Sequence, residues 1–358
     1  MNRKFEYDVT ITFAKANVVN SIGVQNIPYY LGKGNTDKII FHKKKIKLCL
    51  FRFKKYSKED ILTKPNNTVN SQIIKSLILY YLNASNFPIL KSIKCVIKNS
   101  QSEEELLSLN SQDLPNILSN QKEREEGMYI NPNQYMWEES KLGNVIRIAS
   151  SHWLHALNAD NSLIKFNHLW IAFNALFGYY GNSKRECENL RYFKSQLLQH
   201  DELFSKSINV IKDFDAQRLR NSFRWLLMCK HDLRCAESTF CSRVDFTDQR
   251  ILHMFNSVTC SSQILGKIEN QDNYTALRLK LDNISTITND IEVVALICIR
   301  YAYFIRNLHQ HGNVLDSLFK LELTQEDSEL AIINKLLLTL ILEIIQGCDK
   351  LKVNADEN

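Results

Sequence analysis

At 358 residues the chain is long enough for two domains, each able to bury a hydrophobic core. Its 44% hydrophobic and 23% charged residues are typical of a globular soluble protein and exclude a wholly disordered or an integral membrane chain. The net charge of +6 hides an asymmetry, because residues 1–98 contain 18 basic and only 5 acidic side chains, whereas the remainder is acidic overall. This split indicates that the first domain meets a polyanion.

The first 98 residues combine strand-like runs with one amphipathic helix. FEYDVTITF, residues 5–13, alternates apolar and polar side chains as a half-buried strand does, and it does not resemble a signal peptide. Further strand-like runs are KIIFHKK, IKLCLFRF and ILKSIKCVIKN, and a helix is predicted over 70–85. The order predicts a small basic α+β domain, with no glycine-rich phosphate loop after any strand.

The densest positive charge lies in HKKKIKLCLFRFKKYSK, residues 42–58. If this run is one strand, Lys43, Lys45 and Lys47 share one face and Lys44 lies on the other. Two interpretations remain open. These four lysines form a nucleic-acid-binding surface that senses a ligand or positions a substrate, or they protect a sheet edge against aggregation.

Residues 99–135 are predicted to be a polar linker with one short helix, because the segment is acidic and contains Pro115 and Pro132. Residues 136–358 are predicted to form an all-α helical-bundle domain, since apolar residues recur there at three- and four-residue steps. The predicted helices cover 144–158, 161–179, 185–199, 201–212, 215–230, 247–258, 274–284, 289–309 and 326–347. The fold class is therefore an α+β N-terminal domain followed by an all-α domain.

Nothing in the sequence predicts a metal, a cofactor or a membrane span. Cys229, His231, Cys235 and Cys241 lie near one another, but their gaps differ from the short Cys-x2-4-Cys spacing of tight zinc sites. The apolar stretch at 331–347 is charged and too short to cross a bilayer. Without an export signal, we expect a cytoplasmic protein whose nine cysteines are reduced.

One helix carries an unusual polar residue. FNHLWIAFNALFGYYG, residues 166–181, has a wide apolar stripe at helical spacing, and Asn174 stands as a polar member inside it. The stripe consists of Phe166, Leu169, Trp170, Phe173, Leu176 and Phe177. We interpret the stripe as core and Asn174 as a structural hydrogen-bond anchor beneath a site.

The end of a second helix carries the candidate chemistry. FIRNLHQHGN, residues 304–313, follows a strongly apolar run and contains Arg306, Asn307 and His311. A guanidinium that stays charged and an imidazole that titrates near neutrality are the minimum needed to break a phosphodiester. His309 lies on another helical face and competes as the functional histidine; the glycine after His311 ends the helix and frees its ring.

These two segments together resemble the HEPN superfamily, in particular its Apea-like branch, which has a W-x-x-F-N helix and a late R-N-x-x-x-H-G helix end. The matching residues are Trp170, Phe173, Asn174, Arg306, Asn307, His311 and Gly312. The resemblance covers about residues 136–358. It implies a metal-independent endoribonuclease in an all-helical homodimer, with Arg306 and His311 of both protomers in one cleft and with Asn307, Asn174 and His309 in supporting positions.

Chemistry favours the same assignment. Cleavage beside a 2′-hydroxyl needs a base, an acid for the leaving 5′-oxygen and positive charge on the phosphorane. His311 supplies the proton transfers, worth about 10²–10⁴ in rate, and Arg306 holds the phosphate and stabilises the developing charge.

Other interpretations stay open. Arg306 and His311 are also the residue types that complement the C-terminal end of a helix dipole. A catalytically silent HEPN protein that binds RNA or nucleotide, or serves as a dimerisation adaptor, would carry the same residues. Family settings imply an antiviral, abortive-infection or toxin effector that acts on RNA and is restrained by a regulatory partner protein or a trigger.

Overall fold

The computed structural model describes residues 5–14, 23–28, 36–64, 67–84, 87–98, 103–113, 134–235, 237, 240–241, 244–260, 264–284, 286–310 and 325–355. The chain divides into two compact units, Met1–Ala159 and Asp160–Asn358. The first unit contains an antiparallel sheet of six described strands, and the described elements of the second unit are helices. This arrangement agrees with the predicted order of an α+β domain followed by a helical domain.

The sheet has one apolar face. Its strands are β1 (Phe5–Phe13), β2 (Val24–Pro28), β3 (Thr36–His42), β4 (Lys45–Arg52), β5 (Leu90–Lys98) and β6 (Glu103–Asn110). Neighbours are antiparallel throughout, in the order β2-β3-β4-β1-β5-β6. In the central strand β1, Tyr7, Val9 and Ile11 are buried, and the residues between them lie on the more open face. The alternation predicted for residues 5–13 is confirmed.

One helix covers the apolar face of the sheet. The helices of this unit are α1 (Lys58–Thr63), α2 (Thr68–Asn83) and α3 (Lys141–Asn158). The predicted helix at 70–85 is confirmed as α2, which begins where the side chain of Asn67 accepts two backbone N–H groups. Tyr80 of α2 stacks on Phe13 of β1 with ring centroids 4.1 Å apart. Lys75 of α2 is buried and donates to the carbonyl of Trp137, 3.2 Å away.

The basic run forms a hairpin rather than one strand. Strand β3 ends at His42, Lys43 and Lys44 form the turn, and β4 begins at Lys45. The condition that the run is one strand is therefore not met, and Lys43 does not share a strand face with Lys45 and Lys47, because a turn residue has no place in the strand alternation.

Part of the segment predicted as a linker belongs to the sheet. Within residues 99–135, β6 pairs with β5 as an edge strand, although the sequence predicted a connector with one short helix there. Only Leu107 of β6 is buried, opposite Cys95, and Glu105 pairs with Lys94 on β5 at 2.5 Å. An edge strand with a single buried side chain has too weak an apolar pattern to be recognised from sequence. Residues 114–133 lie outside the described part of the chain.

The boundary between the two units differs from the predicted one. The sequence placed it near residue 135, which put α3 in the helical domain, but α3 belongs to the first unit.

A buried ion pair fixes β3 to β4 and α2. Arg52 and Asp37 are 1% and 0% exposed and are joined by two hydrogen bonds of 2.7 and 2.8 Å. The Nε of Arg52 donates to Thr68 Oγ1 at 2.8 Å, and the Gln72 amide donates to Asp37 at 3.2 Å. A buried charge pair is tolerated only when its remaining donors and acceptors are also satisfied, as they are here.

The second unit follows the predicted helices closely. They are α4 (Ser162–Gly181), α5 (Glu186–Gln199), α6 (Ser205–Ile211), α7 (Ala216–Asn221), α8 (Trp225–Cys235), α9 (Gln249–Thr259), α10 (Gln271–Asp282), α11 (Asp290–Ala295), α12 (Ala302–Gln310) and α13 (Gln325–Gln346). The helix predicted over 215–230 is broken between α7 and α8. At the break, the N–H of Arg224 donates to Glu329 Oε1 and to the Tyr301 hydroxyl, at 2.8 and 3.0 Å, instead of to a helical carbonyl.

Helices α11 and α12 are joined without interruption by a π-helical segment, Leu296–Tyr301, and we call the whole helix, Asp290–Gln310, the motif helix. The π segment closes i→i+5 turns and so changes the direction in which later side chains leave the helix. Near its start, Glu292 accepts the N–H groups of Thr247 and Asp248 at 2.8 Å each. In its middle, Arg300 pairs with Asp232 of α8 at 2.9 Å.

The long helix α13 supports α6 through a buried carboxylate. Glu343 of α13 accepts the N–H groups of Lys206 and Ser207, at 2.6 and 3.1 Å, and the Ser207 hydroxyl at 2.5 Å. It thereby satisfies the unpaired donors of the first turn of α6. Of the helices that the structure describes, none combines the length and the apolarity that a membrane span requires.

Candidate functional site

The two segments singled out in the sequence meet in the second unit. Tyr303 of the motif helix lies against Trp170 of α4 with ring centroids 6.1 Å apart. The guanidinium carbon of Arg306 lies 5.6 Å from the centroid of the Trp170 ring and 5.0 Å from that of Tyr303. A guanidinium over aromatic faces is attracted by the ring quadrupoles, so these contacts orient Arg306. The predicted apolar stripe of α4 is confirmed as core, since its six members are all buried.

Arg306 also has polar partners. Its Nη2 donates to Glu186 in the first turn of α5, and its Nη1 donates to the Asn307 side chain at 2.8 Å. Its Nε is buried and has no hydrogen-bond partner among the described residues. The Arg306 side chain is 18% exposed. The guanidinium is therefore oriented, partly accessible and already facing one carboxylate.

His309 lies in a different environment. Its Nε2 is 2.9 Å from Glu326 Oε1, in the first turn of α13, and both side chains are mostly buried. Glu326 is also 4.0 Å from the Nη2 of Arg224. His311 and Gly312, which carry the family spacing, lie outside the described residues. Of the two candidate histidines, only His309 lies in the described part of the chain, and its imidazole packs against the buried carboxylate of Glu326.

The predicted supporting asparagines have different surroundings. Asn307 is half-buried and accepts the hydrogen bond from Arg306. Asn174 is exposed, whereas its neighbours Phe173 and Phe177 on α4 are fully buried. The expectation of an anchor inside the stripe does not match this position. A helix step of about 100° per residue places Asn174 beside the stripe rather than within it.

The four candidate lysines lie at one end of the sheet. Lys43 and Lys44 are exposed in the β3–β4 turn, Lys47 is exposed on β4, and Lys45 is half-buried. The hydroxyl of Tyr80 donates to the Lys43 carbonyl at 2.7 Å and so ties the turn to α2. Burial raises the pKa of Tyr80 to about 12, so this hydroxyl keeps its proton at neutral pH.

The strand register adds a residue that the sequence analysis missed. Thr10 of β1 lies between Lys47 of β4 and Lys94 of β5. Because residues opposite one another on neighbouring strands share a face, Lys94 belongs to the same face as Lys47. Lys94 is exposed and pairs with Glu105. The separation of 47 residues between these lysines hid the relationship, and no local pattern could have revealed it.

Potential metal ligands come together on the sheet of the first unit. Ligand atoms of Glu6, Asp8 and Cys49 lie within 4.8 Å of one another. The Cys49 thiol donates to Glu6 at 3.2 Å, and Lys98 pairs with Asp8. Burial, followed by the hydrogen bond to Glu6, raises the pKa of Cys49 to about 12. In this arrangement the thiol keeps its proton and Asp8 faces the Lys98 ammonium, so a metal ion would have to displace both.

Comparisons with known proteins provide no further assignment. Neither protein-family models nor the curated proteins nor the solved structures gave a match to this chain. The functional interpretation therefore depends on the described geometry and on the resemblance of the two helix motifs to the HEPN superfamily.

Proposed function

We propose that this chain is a metal-independent endoribonuclease of HEPN type, which cleaves RNA by attack of the 2′-hydroxyl in a composite site of a homodimer. The observation that carries the proposal is the packing of Arg306 on Trp170. This contact joins the two segments on which the resemblance depends, and it leaves the guanidinium partly accessible.

In the proposed reaction, His311 takes the proton from the 2′-hydroxyl and a histidine returns one to the leaving 5′-oxygen. Arg306 binds the non-bridging phosphate oxygens, and its charge stabilises the phosphorane. Asn307 supports this role, because its 2.8 Å hydrogen bond to Nη1 fixes one edge of the guanidinium. The RNA phosphate must displace Glu186 from the other edge, so Glu186 restrains the resting site.

The lysines of the β3–β4 hairpin fit the same proposal as a surface that holds RNA. Lys43, Lys44 and Lys47 are exposed, and Tyr80 fixes the turn that carries two of them. Fixed cations on an exposed turn attract a phosphate backbone without reading its sequence. The antiviral or toxin setting, and control by a partner protein or trigger, are proposed from the family resemblance alone.

A catalytically silent HEPN module is the second candidate, and one observation favours it. Glu186 neutralises Arg306, so the same side chains would form a stable ion pair in a protein that only binds RNA or dimerises. In that case the partial accessibility of the Arg306 guanidinium would not serve catalysis.

An RNA-degradation assay separates the two candidates. Wild type, Arg306→Gln and His311→Ala are incubated with mixed RNA in EDTA, and the dimer mass is measured in parallel. The matched controls are Arg191→Gln on α5 and His253→Ala on α9, because both side chains are exposed.

The proposal expects cleavage by wild type and both controls, with a loss of at least about 100-fold in the two site variants. Equal cleavage by all five proteins would remove Arg306 and His311 from the mechanism. Cleavage by none of them, with a dimer present, would favour the silent module.

A further inference from the structure

A cleft of about 690 Å³ opens in the second unit, between α7, α8, α9 and the first residue of α13. Its polar lining consists of Arg220, Asn221, Arg224, Lys230, Ser257 and Gln325. None of the described residues that line it is a carboxylate. The cleft therefore presents cations and neutral hydrogen-bonding groups, and this composition selects for an anion.

The three cations differ in how they are held. Arg224 is fixed from behind, since its Nε donates to both carboxylate oxygens of Glu329 at 3.0 and 2.9 Å. Glu329 is fully buried and so does not face the cleft. Arg220 and Lys230 have no acidic partner among the described residues, and their charge is not neutralised locally. Two uncompensated cations therefore stand beside one arginine in a fixed orientation.

The remaining wall of the cleft is apolar. Its accessible side chains are Leu226, Leu227 and Val258, and Leu227 is 38% exposed although it is a large apolar side chain. Phe223 and Trp225 are buried and pack on each other with ring centroids 5.0 Å apart, so they belong to the core next to this wall. A cleft lined both by cations and by accessible apolar side chains suits a ligand with a charged and an apolar part.

We propose that this cleft is a binding site for a phosphate-bearing ligand, with the phosphate at Arg220, Arg224 and Lys230 and the attached base or sugar against the apolar wall. The volume lies within the range of about 300–1,000 Å³ that small-ligand sites occupy, and it accommodates a nucleotide. The cleft shares no lining residue with the contact between Arg306 and Trp170. The inference therefore does not depend on RNA cleavage.

Titration calorimetry on the full chain tests the proposal with three probes: pyrophosphate, adenosine monophosphate, and a 2′-O-methyl RNA hexanucleotide, which lacks the attacking hydroxyl. Arg220→Gln and Lys230→Gln are the test variants, since both side chains lie in the cleft without a structural partner among the described residues. Arg234→Gln on α8 and Lys212→Gln after α6 remove the same charges from exposed positions outside the cleft.

We expect saturable binding of at least one probe to wild type, weakened about fivefold by each test variant and more by the pair, with little change in the controls. Binding of pyrophosphate and adenosine monophosphate would identify a free nucleotide as the source of the phosphate. Binding of the hexanucleotide alone, weakened by the test variants and not by the controls, would identify the RNA backbone as the ligand of the cleft. Absence of saturable binding for all three probes, or equal weakening by test and control variants, overturns the proposal. Arg306→Gln is expected to bind pyrophosphate and adenosine monophosphate as wild type does, because Arg306 does not line the cleft. This outcome is therefore separate from that of the cleavage assay.

Discussion

The guanidinium of Arg306 donates to the carboxylate of Glu186, a residue 120 positions earlier in the chain. Glu186 stands in the first turn of α5, where the partial positive charge of the helix N-terminus favours a carboxylate. The candidate catalytic arginine therefore rests against an anion that the fold itself supplies, and any phosphate that binds it competes with this carboxylate.

Replacement of Glu186 tests this competition. Glu186→Gln removes the competing charge, and because the pair is partly exposed we expect RNA affinity to rise about fivefold. Filter binding with a 2′-O-methyl RNA measures the effect. Glu188→Gln is the matched control, since Glu188 lies in the same turn and pairs with Arg185 instead. Weaker binding by Glu186→Gln would show that Glu186 orients Arg306 rather than competing for it.

The two histidines near the end of the motif helix are expected to separate by phenotype. His309→Ala removes the imidazole that lies against the buried carboxylate of Glu326, so the free energy of unfolding should fall by about 1–2 kcal/mol while RNA cleavage persists. His311→Ala should abolish cleavage with little change in stability. Urea titrations and the RNA assay on both variants measure this; loss of cleavage in the His309 variant at unchanged stability contradicts it.

The buried pair of Arg52 and Asp37 provides a stability test in the first unit. Arg52→Met should lower the free energy of unfolding by about 3–5 kcal/mol, because Asp37 is left charged and fully buried. Adding Asp37→Leu should restore most of that stability. The exposed pair of Lys55 and Glu104 is the control, and Lys55→Met should cost less than about 1 kcal/mol. A double variant as unstable as the single one would show that the charges themselves are required.

Glu343 predicts a specific pH dependence. Burial raises the pKa of this carboxyl above its ordinary value of 4.5, so the folded protein holds the proton more tightly than the unfolded chain. Its contribution to stability is complete below pH about 4.5 and is lost as the pH rises through the folded pKa. Relative to Glu343→Gln, wild type should therefore become less stable between pH 4.5 and neutrality. Urea titrations of both proteins across this range measure the difference; a difference that is flat or that grows with pH contradicts it.

The lysines of the hairpin are expected to contribute to RNA binding through charge alone. Replacing all four hairpin lysines by glutamine should weaken RNA binding. It should also reduce the slope of the logarithm of the binding constant against the logarithm of the salt concentration, by about one unit for each phosphate that the protein no longer neutralises. The replaced lysines are Lys43, Lys44, Lys45 and Lys47. A control protein carries the same change at Lys54, Lys55, Lys58 and Lys64 of the same unit. Equal effects in both proteins would assign the binding to net charge rather than to this surface.

Local patterns predicted much of the fold. The alternation at residues 5–13 and the helical spacing at 166–181 correspond to β1 and α4, because both patterns arise from burying one face of a regular element. The same reasoning failed at β6, where one buried residue produces no alternation, and at residues 215–230, where a side chain from α13 takes the N–H that the helix needed.

Three features could be read from the amino-acid order alone: the basic character of the first domain, the helical periodicity of the second and the residues of the two motifs. Each of them depends on neighbours within a few positions. The partners of these residues could be identified only in the folded structure. They are Glu186 for Arg306, Glu326 for His309 and Lys94 for the hairpin lysine Lys47. These partners lie far apart in the chain, and the π segment changes the direction of the side chains after it. Contacts between residues that are distant in sequence depend on how helices and strands pack together. The periodicity of a short segment does not determine that packing.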